Sequence, residues 1–204
     1  IPCFIVTLGF QMIARGAAKI ITNASPIAGM PEQIKWIGRG FIGGNEYGFP
    51  ISVLIMLGLF LLFMFITLRT KFGRSLYAIG GNKEAARLSG INIRKNTFLI
   101  FVIMGVMCSL SSIVYTARLN AATAAAGQGL EMDAIASAII GGTSTMGGEG
   151  SVFGAIIGAF IMSGIDNGMS IMNLPPQVQY IIKGLVLLLA VAFDIFNKRR
   201  GGAR

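Results

Sequence analysis

A glycine-rich segment, residues 141–151, is the first candidate for chemistry, because its sequence, GGTSTMGGEGS, invites comparison with a phosphate-binding loop. A Walker loop needs Gly-Lys-Ser/Thr after four spacer residues, since the lysine must meet the phosphate. The segment has no lysine, and Glu149 is its only charged residue. We therefore expect no nucleotide site here and no ATP hydrolysis by this chain.

Residues able to act as general bases or metal ligands are scarce. The chain has no histidine, and its two cysteines, Cys3 and Cys108, lie in apolar stretches where packing is their expected role. Without histidine, the commonest general base and the commonest metal ligand are both missing. The sequence predicts a protein that is not an enzyme, with no catalytic residue, no metal site and no cofactor of its own.

The most polar stretch is residues 69–95, RTKFGRSLYAIGGNKEAARLSGINIRK, which carries seven Lys or Arg and one Glu. A short helix is predicted within it. Asn82 is a good N-cap, Glu84 suits the positive end of the helix dipole, and Arg87 lies nearer the negative end. Gly90 suits the left-handed residue that follows a helix C-terminus.

This predicted helix has seven or eight residues, whereas about 12–15 are needed for a helix to persist alone in water. It must therefore pack against its own membrane domain or against another protein. The small side chains of Ala85 and Ala86 permit a close approach, and Gly80 and Gly81 are expected to form the turn that leads in. A surface connector without a special role is the alternative at this point.

The segments around this stretch indicate the class of protein. Residues 51–68 and 97–117 contain no charged residue, and 18 helical residues cover about 27 Å, close to the hydrocarbon thickness of a bilayer. The sequence therefore predicts an all-α, polytopic integral membrane protein. About six transmembrane or partly re-entrant helices are expected, at residues 1–22, 51–68, 97–117, 132–146, 150–168 and 178–196.

The basic residues give these spans a direction. Eleven Lys or Arg lie in the stretch 69–95 and in the tail 198–204, whereas the loops expected on the other side hold only three, Lys35, Arg39 and Arg118. The positive-inside rule therefore predicts a cytoplasmic stretch 69–95 and a cytoplasmic C-terminus. Since topology and the anionic inner leaflet account for the net charge of +9, no nucleic-acid partner is expected.

Three long motifs resemble those of the permeases of bacterial monosaccharide ABC importers of the ribose, xylose, galactose and arabinose kind. They are KFGRSLYAIGGNKEAARLSGI, MDAIASAIIGGTSTMGGEGSVFGAIIGAFI and NGMSIMNLPPQVQYIIKGLVLLLAVAFD. The opening IPCFIVTLGFQMIARG fits an interior span of such permeases, and the third motif is most similar to xylose-type permeases. The resemblance implies a single transmembrane permease domain over residues 1–204, forming the C-terminal part of a longer permease of about ten spans.

The resemblance also implies a role for the basic stretch. In that family the corresponding loop forms a coupling helix seated in a groove of the cytoplasmic ATPase subunit, which uses the ATP. The family further implies an extracytoplasmic sugar-binding protein, a second permease copy in a homodimer, and a place in the bacterial inner membrane. The residues expected to make or shape the ATPase contact in the coupling loop 69–95 are Asn82, Glu84, Ala85, Ala86, Arg87 and Gly90.

Close helix packing is expected after the glycine-rich segment. Gly150, Gly154 and Gly158 repeat at four-residue spacing and would place three flat patches on one helix face, the small-xxx-small pattern of helix association in lipid. The preceding span is short and ends in glycines, so a broken or re-entrant helix is expected there. Such a segment is tolerated only when it is buried in protein or lines water.

A monosaccharide is neutral and covered in hydroxyl groups, so its path needs hydrogen-bonding side chains and few full charges. Bonding of serine hydroxyls back to their own helix is the alternative, and Asp166 with Asn167 is expected to cap the outer turn rather than to face a cavity. Lys183 is expected to snorkel to the outer interface, with a polar lining that faces a cavity as the alternative. The candidate residues for the path are Gln11, Ser109, Ser112, Asn120, Thr143, Asp166 and Asn167.

An ion-gradient-driven secondary transporter is the alternative function. It would need a buried ionisable relay near the middle of the membrane, and the sequence offers only Arg15 and Lys183 near the edges of spans. The sequence thus predicts the membrane-spanning subunit of an ATP-driven monosaccharide importer. It does not identify the sugar.

Overall fold

Residues 3–43 and 48–201 are described by the computed structural model, and within them the chain forms nine α-helices and four strands of two residues. The helices are α1 Cys3–Ile21, α2 Glu32–Arg39, α3 Ile51–Arg69, α4 Lys71–Gly81, α5 Lys83–Leu88, α6 Ile93–Leu119, α7 Leu130–Ile140, α8 Val152–Ile171 and α9 Pro176–Gly201. The strands are β1 Ile27–Ala28, β2 Phe41–Ile42, β3 Phe49–Pro50 and β4 Ala121–Ala122. The end of the basic tail, residues 202–204, lies outside this description.

Four helices in the described part of the chain are long and apolar enough to cross a membrane, namely α3, α6, α8 and the Pro176–Phe196 part of α9. They coincide with the second, third, fifth and sixth predicted spans. Helix α6 begins earlier than expected because Asn92 Oδ1 accepts a hydrogen bond from the Lys95 backbone N–H at 3.0 Å. The expected class, an all-α polytopic membrane protein, is confirmed.

The expected count of about six spans is only partly supported. Helix α7 has 11 residues and covers about 16 Å, roughly half of the hydrocarbon thickness. It stops at Gly141, where the chain enters the glycine-rich turn, defined as residues 141–151. Helix α1 covers the first predicted span, with Arg15 and Lys19 in its second half.

The basic stretch contains two helices, because α4 precedes the short helix. Thr70 Oγ1 accepts a hydrogen bond from the Gly73 N–H at 3.1 Å and so begins α4. The expectation that Gly80 and Gly81 form a turn was wrong, since both lie in the last turn of α4. Glycine is disfavoured in a helix by about 1 kcal/mol relative to alanine, which is why the sequence suggested a break there.

The chain divides into two compact units. The first comprises Ile1–Leu57 and Val102–Gln128. In it β1 pairs with β4 and β2 with β3, both antiparallel. Helix α2 meets the end of α6, where Ala117 is fully buried and a methyl group added to Gly38 would lie 2.6 Å from its Cβ.

The second unit comprises Gly58–Phe101 and Gly129–Arg204. Here α7 packs against α8 and α9, and α4 packs against α5. The buried residues at the α7–α8 contact include Ala136, Ser137 and Met162, whereas large side chains such as Leu188 on α9 are exposed. The helices therefore associate through small residues and present their large apolar side chains outward, as expected for spans surrounded by lipid.

Candidate functional site

Helix α5 is closed at both ends by local hydrogen bonds. At its start, Asn82 Oδ1 accepts from the backbone N–H groups of Glu84 and Ala85, each at 3.0 Å. At its end, Gly90 has φ +78° and its N–H donates to the Arg87 carbonyl at 3.0 Å. Asn82 is therefore the N-cap and Gly90 adopts the left-handed conformation, both as the sequence predicts.

The surface of α5 is exposed apart from one residue. Ala86 is 3% exposed and anchors the helix, whereas the side chain of Leu88 is 85% exposed. Glu84 and Arg87 form an ion pair at 3.2 Å, but both side chains lie in solvent, so the pair contributes little to stability. An open groove runs beside the helix, lined by Lys83, Glu84, Arg87, Ile91, Asn92, Ile93 and Arg94.

The glycine-rich turn lies against the end of α4. A methyl group on Gly80 would be 2.5 Å from the Gly148 nitrogen, and one on Gly147 would be 2.8 Å from the Gly80 oxygen. The Tyr77 hydroxyl donates to the Gly150 carbonyl at 2.8 Å. Here two backbones touch with no side chain between them, which only glycine permits.

The same turn is fixed to α9. The backbone N–H and the hydroxyl of Thr145 donate to Asp194 Oδ2, at 3.2 and 2.9 Å. Within the turn, the Ser144 N–H donates to the Glu149 carbonyl at 3.0 Å, and Ser144 is buried. The segment that resembled a nucleotide loop is thus a tight junction between helices of the second unit.

Helices α7 and α8 approach each other through two of the three expected glycines. A methyl group on Gly154 would collide with the Gly141 carbonyl, and one on Gly158 would collide with the Ser137 carbonyl. Gly150 was wrongly expected on the same helix face. It precedes α8, whose N-cap is Ser151, because its φ of +152° leaves it outside the helix, against Thr143.

An ion cluster joins α7, α8 and α9. Lys183 Nζ lies 2.8 Å from Asp133 Oδ2 and 2.9 Å from Asp166 Oδ2, and the three side chains are 23%, 19% and 36% exposed. The Asp166 Oδ1 atom is buried without a hydrogen-bond partner. The expectation that Asp166 caps the outer turn was wrong, since it lies inside α8 and binds Lys183, five residues before that helix ends.

The prediction for Lys183 did not include partners within the chain, yet two carboxylates hold its ammonium group between the helices. Sequence reasoning missed Asp133 altogether. Its position in the first turn of a helix is typical of an acidic residue that favours the positive end of the dipole. No local pattern pairs it with a lysine 50 residues away.

The remaining candidates for a polar path are divided between the two units. The Ser112 hydroxyl donates to the Ser109 carbonyl at 2.8 Å, so this serine bonds back to its own helix. Asn120 follows α6 with φ +56°, and its Oδ1 accepts from the Met30 N–H at 3.1 Å. The first unit holds Gln11, Ser109, Ser112 and Asn120, and the second holds Thr143, Asp166 and Asn167. Among the residues that the structure describes, none form a group of three or more potential metal ligands.

Four apolar helices of spanning length, joined by polar connections, define a multi-pass membrane protein. The particular family follows from comparison with known sequences. The chain belongs to the family described as branched-chain amino acid transport system / permease component, which matches residues 1–191.

Several curated relatives are sugar permeases. The chain is 52% identical over 157 residues to the xylose transport system permease protein XylH of Escherichia coli (strain K12), covering 76% of this chain and 40% of XylH. It is 39% identical over 201 residues to the ribose import permease protein RbsC of the same strain, covering 98% of this chain and 62% of RbsC. The probable ABC transporter permease protein YphD of that strain is also 39% identical over 201 residues, with 98% and 59% covered.

The chain therefore spans between 40% and 62% of the length of these relatives. No solved structure matches it significantly.

Proposed function

We propose that this chain belongs to the membrane-spanning permease subunit of an ATP-driven importer of a monosaccharide. The observation that carries the proposal is helix α5, which is capped at Asn82 and Gly90, exposed along its surface, and placed in a chain of a permease family. An isolated six-residue helix gains no stability from its own length, so its caps preserve a shaped surface for another protein. That protein is the ATPase subunit, and ATP is consumed there.

The roles within α5 follow from its geometry. Asn82 and Gly90 fix the two ends, Ala86 anchors the helix, and Glu84 with Arg87 presents charge at the surface. Ala85 leaves room for the ATPase groove to approach the backbone. ATP binding draws the ATPase subunits together, α5 moves with them, and the spans switch access from outside to inside.

The proposed orientation places the coupling loop, residues 69–95, and the C-terminus in the cytoplasm of a bacterial cell, with the permease in the inner membrane. In the second unit, Gly80 of α4 and Asp194 near the end of α9 both contact the glycine-rich turn. This supports a common side for the two basic clusters. The binding protein then docks at the opposite face, and a second permease copy completes a homodimer.

The relatives named for xylose and ribose favour a pentose as the transported sugar. A neutral, hydroxylated substrate also suits the candidate side chains, which are mostly uncharged. The residues proposed to meet the sugar are Gln11, Ser109, Ser112 and Asn120 in the first unit and Thr143, Asp166 and Asn167 in the second.

One observation bears on the alternative, a transporter driven by an ion gradient. Such a protein needs ionisable groups inside the membrane, and the Lys183–Asp133–Asp166 cluster supplies three. The carboxylates and the ammonium are already paired with each other, which favours a role in joining helices. The similarity to ABC permeases supports the ATP-driven importer.

The test is uptake by proteoliposomes that contain the intact permease, its ATPase and its binding protein. We expect accumulation of labelled xylose or ribose that requires ATP at the ATPase face and is insensitive to collapse of the proton gradient. Labelled leucine, the substrate class named for the family, serves as the comparison. Uptake that follows the proton gradient and ignores ATP would refute the proposal, and uptake of leucine alone would refute its substrate class.

A further inference from the structure

One connection from α5 to the membrane helices runs through α4, and the other follows the chain through residues 89–92 into α6. Helix α5 packs on α4, and Asn82 belongs to both, as C-cap of one and N-cap of the other. Any movement of α5 is thus imposed on the end of α4. That end consists of Gly80 and Gly81, and Gly80 lies directly against the glycine-rich turn.

We propose that the glycine-rich turn, residues 141–151, receives the coupling movement from α4 and passes it to α7. This inference rests on the proposed function. The contact is made by the backbones of Gly80 and Gly81 on α4 and of Gly147 and Gly148 in the turn, and the Tyr77–Gly150 hydrogen bond fixes their relative position.

A backbone contact transmits displacement well. Flexible side chains absorb movement by changing rotamer, whereas two touching main chains have no such freedom. The turn is stiffened from within by the hydrogen bond from Ser144 to Glu149, and it is fixed to α9 through Thr145 and Asp194. A push from α4 therefore displaces the turn as one piece.

Helix α7 is the element that responds. The turn continues directly from its last residue, and its 11 residues are too few to anchor it across the bilayer by hydrophobicity alone. The Gly141–Gly154 and Ser137–Gly158 contacts carry the same displacement into α8. The contact between α4 and the glycine-rich turn thus positions α7 for transport, and it is distinct from the α5 surface that meets the ATPase.

Two adjacent glycines in α4 provide the test and its matched control. Both lie in the last turn of α4, so an alanine at either has a similar effect on helix propensity. A methyl group on Gly80 would be 2.5 Å from the Gly148 nitrogen, whereas one on Gly81 would meet nothing within 4 Å. Gly80→Ala must therefore separate α4 from the turn, and Gly81→Ala leaves them in place.

The measurement is the amount of sugar taken up per ATP hydrolysed in the reconstituted complex, with retention of the ATPase on the purified permease measured in parallel. We expect Gly80→Ala to keep the ATPase bound and to lower the ratio at least about tenfold, as a barrier change near 1.4 kcal/mol would. Gly81→Ala should give the same ratio as the unmodified permease. Equal ratios for the two variants, whether both normal or both reduced, would overturn the inference.

A second pair of variants covers the case in which Gly80→Ala does not assemble. Tyr77→Phe deletes one hydroxyl without changing the volume, and Tyr115→Phe makes the same deletion on α6. Because the Tyr77 hydroxyl donates to the Gly150 carbonyl, we expect Tyr77→Phe to lower the amount of sugar taken up per ATP at least twofold. Tyr115→Phe should leave that ratio unchanged. Equal ratios for these two variants would count against transmission of the movement from α4 through the glycine-rich turn to α7. Absence of ATP-dependent uptake in the unmodified complex would instead refute the proposed function.

Discussion

The ion cluster predicts that its three members respond very unequally to substitution. If all three side chains are charged, the cluster carries one net negative charge. Removal of Lys183 leaves two facing carboxylates, whereas removal of either aspartate charge leaves a neutral pair. We therefore expect Lys183→Met to destabilise the intact permease strongly and Asp133→Asn or Asp166→Asn to do so only mildly.

The geometry sets the size of the effect. Because the two carboxylate oxygens lie 2.8 and 2.9 Å from the same nitrogen, they are at most about 5.7 Å apart. Two unit charges at that separation repel by about 3 kcal/mol at an effective dielectric constant of 20, and by more in a less polar medium. The aspartate variants lose one charge-assisted hydrogen bond each, which costs about 1.5–3 kcal/mol, partly recovered by the amide that replaces the carboxylate.

The assay is thermal unfolding of the detergent-solubilised permease, followed by the loss of its monodisperse peak on size exclusion. A cost of about 3 kcal/mol lowers the Tm by about 6–12 °C for 150–250 residues, and by less for a longer permease. The triple variant Lys183→Met, Asp133→Asn and Asp166→Asn should recover most of the loss, because removal of a whole, partly buried charge cluster leaves no unpaired charge behind. If Lys183→Met is no less stable than Asp133→Asn, the reasoning is refuted.

Three further predictions concern α5 and the α7–α8 contact. Asn82→Ala should lower the stability of α5 by about 1 kcal/mol, since two backbone donors lose their acceptor, and hydrogen exchange at Glu84 and Ala85 should accelerate about fivefold. Glu84→Ala should leave the Tm of the permease unchanged but weaken its copurification with the ATPase, because the Glu84–Arg87 pair is exposed; a fall in Tm without loss of binding would contradict this. Gly158→Ala should destabilise the permease by about 1–3 kcal/mol through collision with the Ser137 carbonyl, whereas Gly164→Ala on the same helix, which meets nothing within 4 Å, should not. Equal unfolding temperatures for these two glycine variants would argue against tight α7–α8 packing.

Features fixed by neighbouring residues were the ones that the sequence predicted. The cap at Asn82 and the left-handed Gly90 depend on hydrogen bonds within a few residues. The long uncharged runs of α3 and α6 indicate membrane spans from composition alone. The Gly80–Gly81 pair misled, because an unfavourable local propensity was outweighed by a tertiary contact with Gly148, 68 positions further along. Propensity is a weak guide wherever packing requires the absence of a side chain.

The ion cluster shows more clearly that local sequence patterns do not predict contacts between distant residues. Each of its members has an ordinary local interpretation: Asp133 as an acid in the first turn, Asp166 as a cap, and Lys183 as a snorkelling side chain. Only the packing of α7 against α8 and α9 brings the three together, and the α7–α8 contact depends on glycines. Close packing and charge pairing are therefore two consequences of one arrangement.

Helix α7 is held at both ends by interactions of different kinds. Near its start, Asp133 binds Lys183, and just beyond its end, Gly141 and the turn meet the backbones of α8 and α4. The first contact is charged and the second is steric, so a displacement of the turn that leaves the ion cluster intact must tilt or slide α7 about Asp133. A short helix held at these two points converts a push at the turn into a rotation about Asp133, and its contacts at Gly141 and Ser137 pass that rotation to α8.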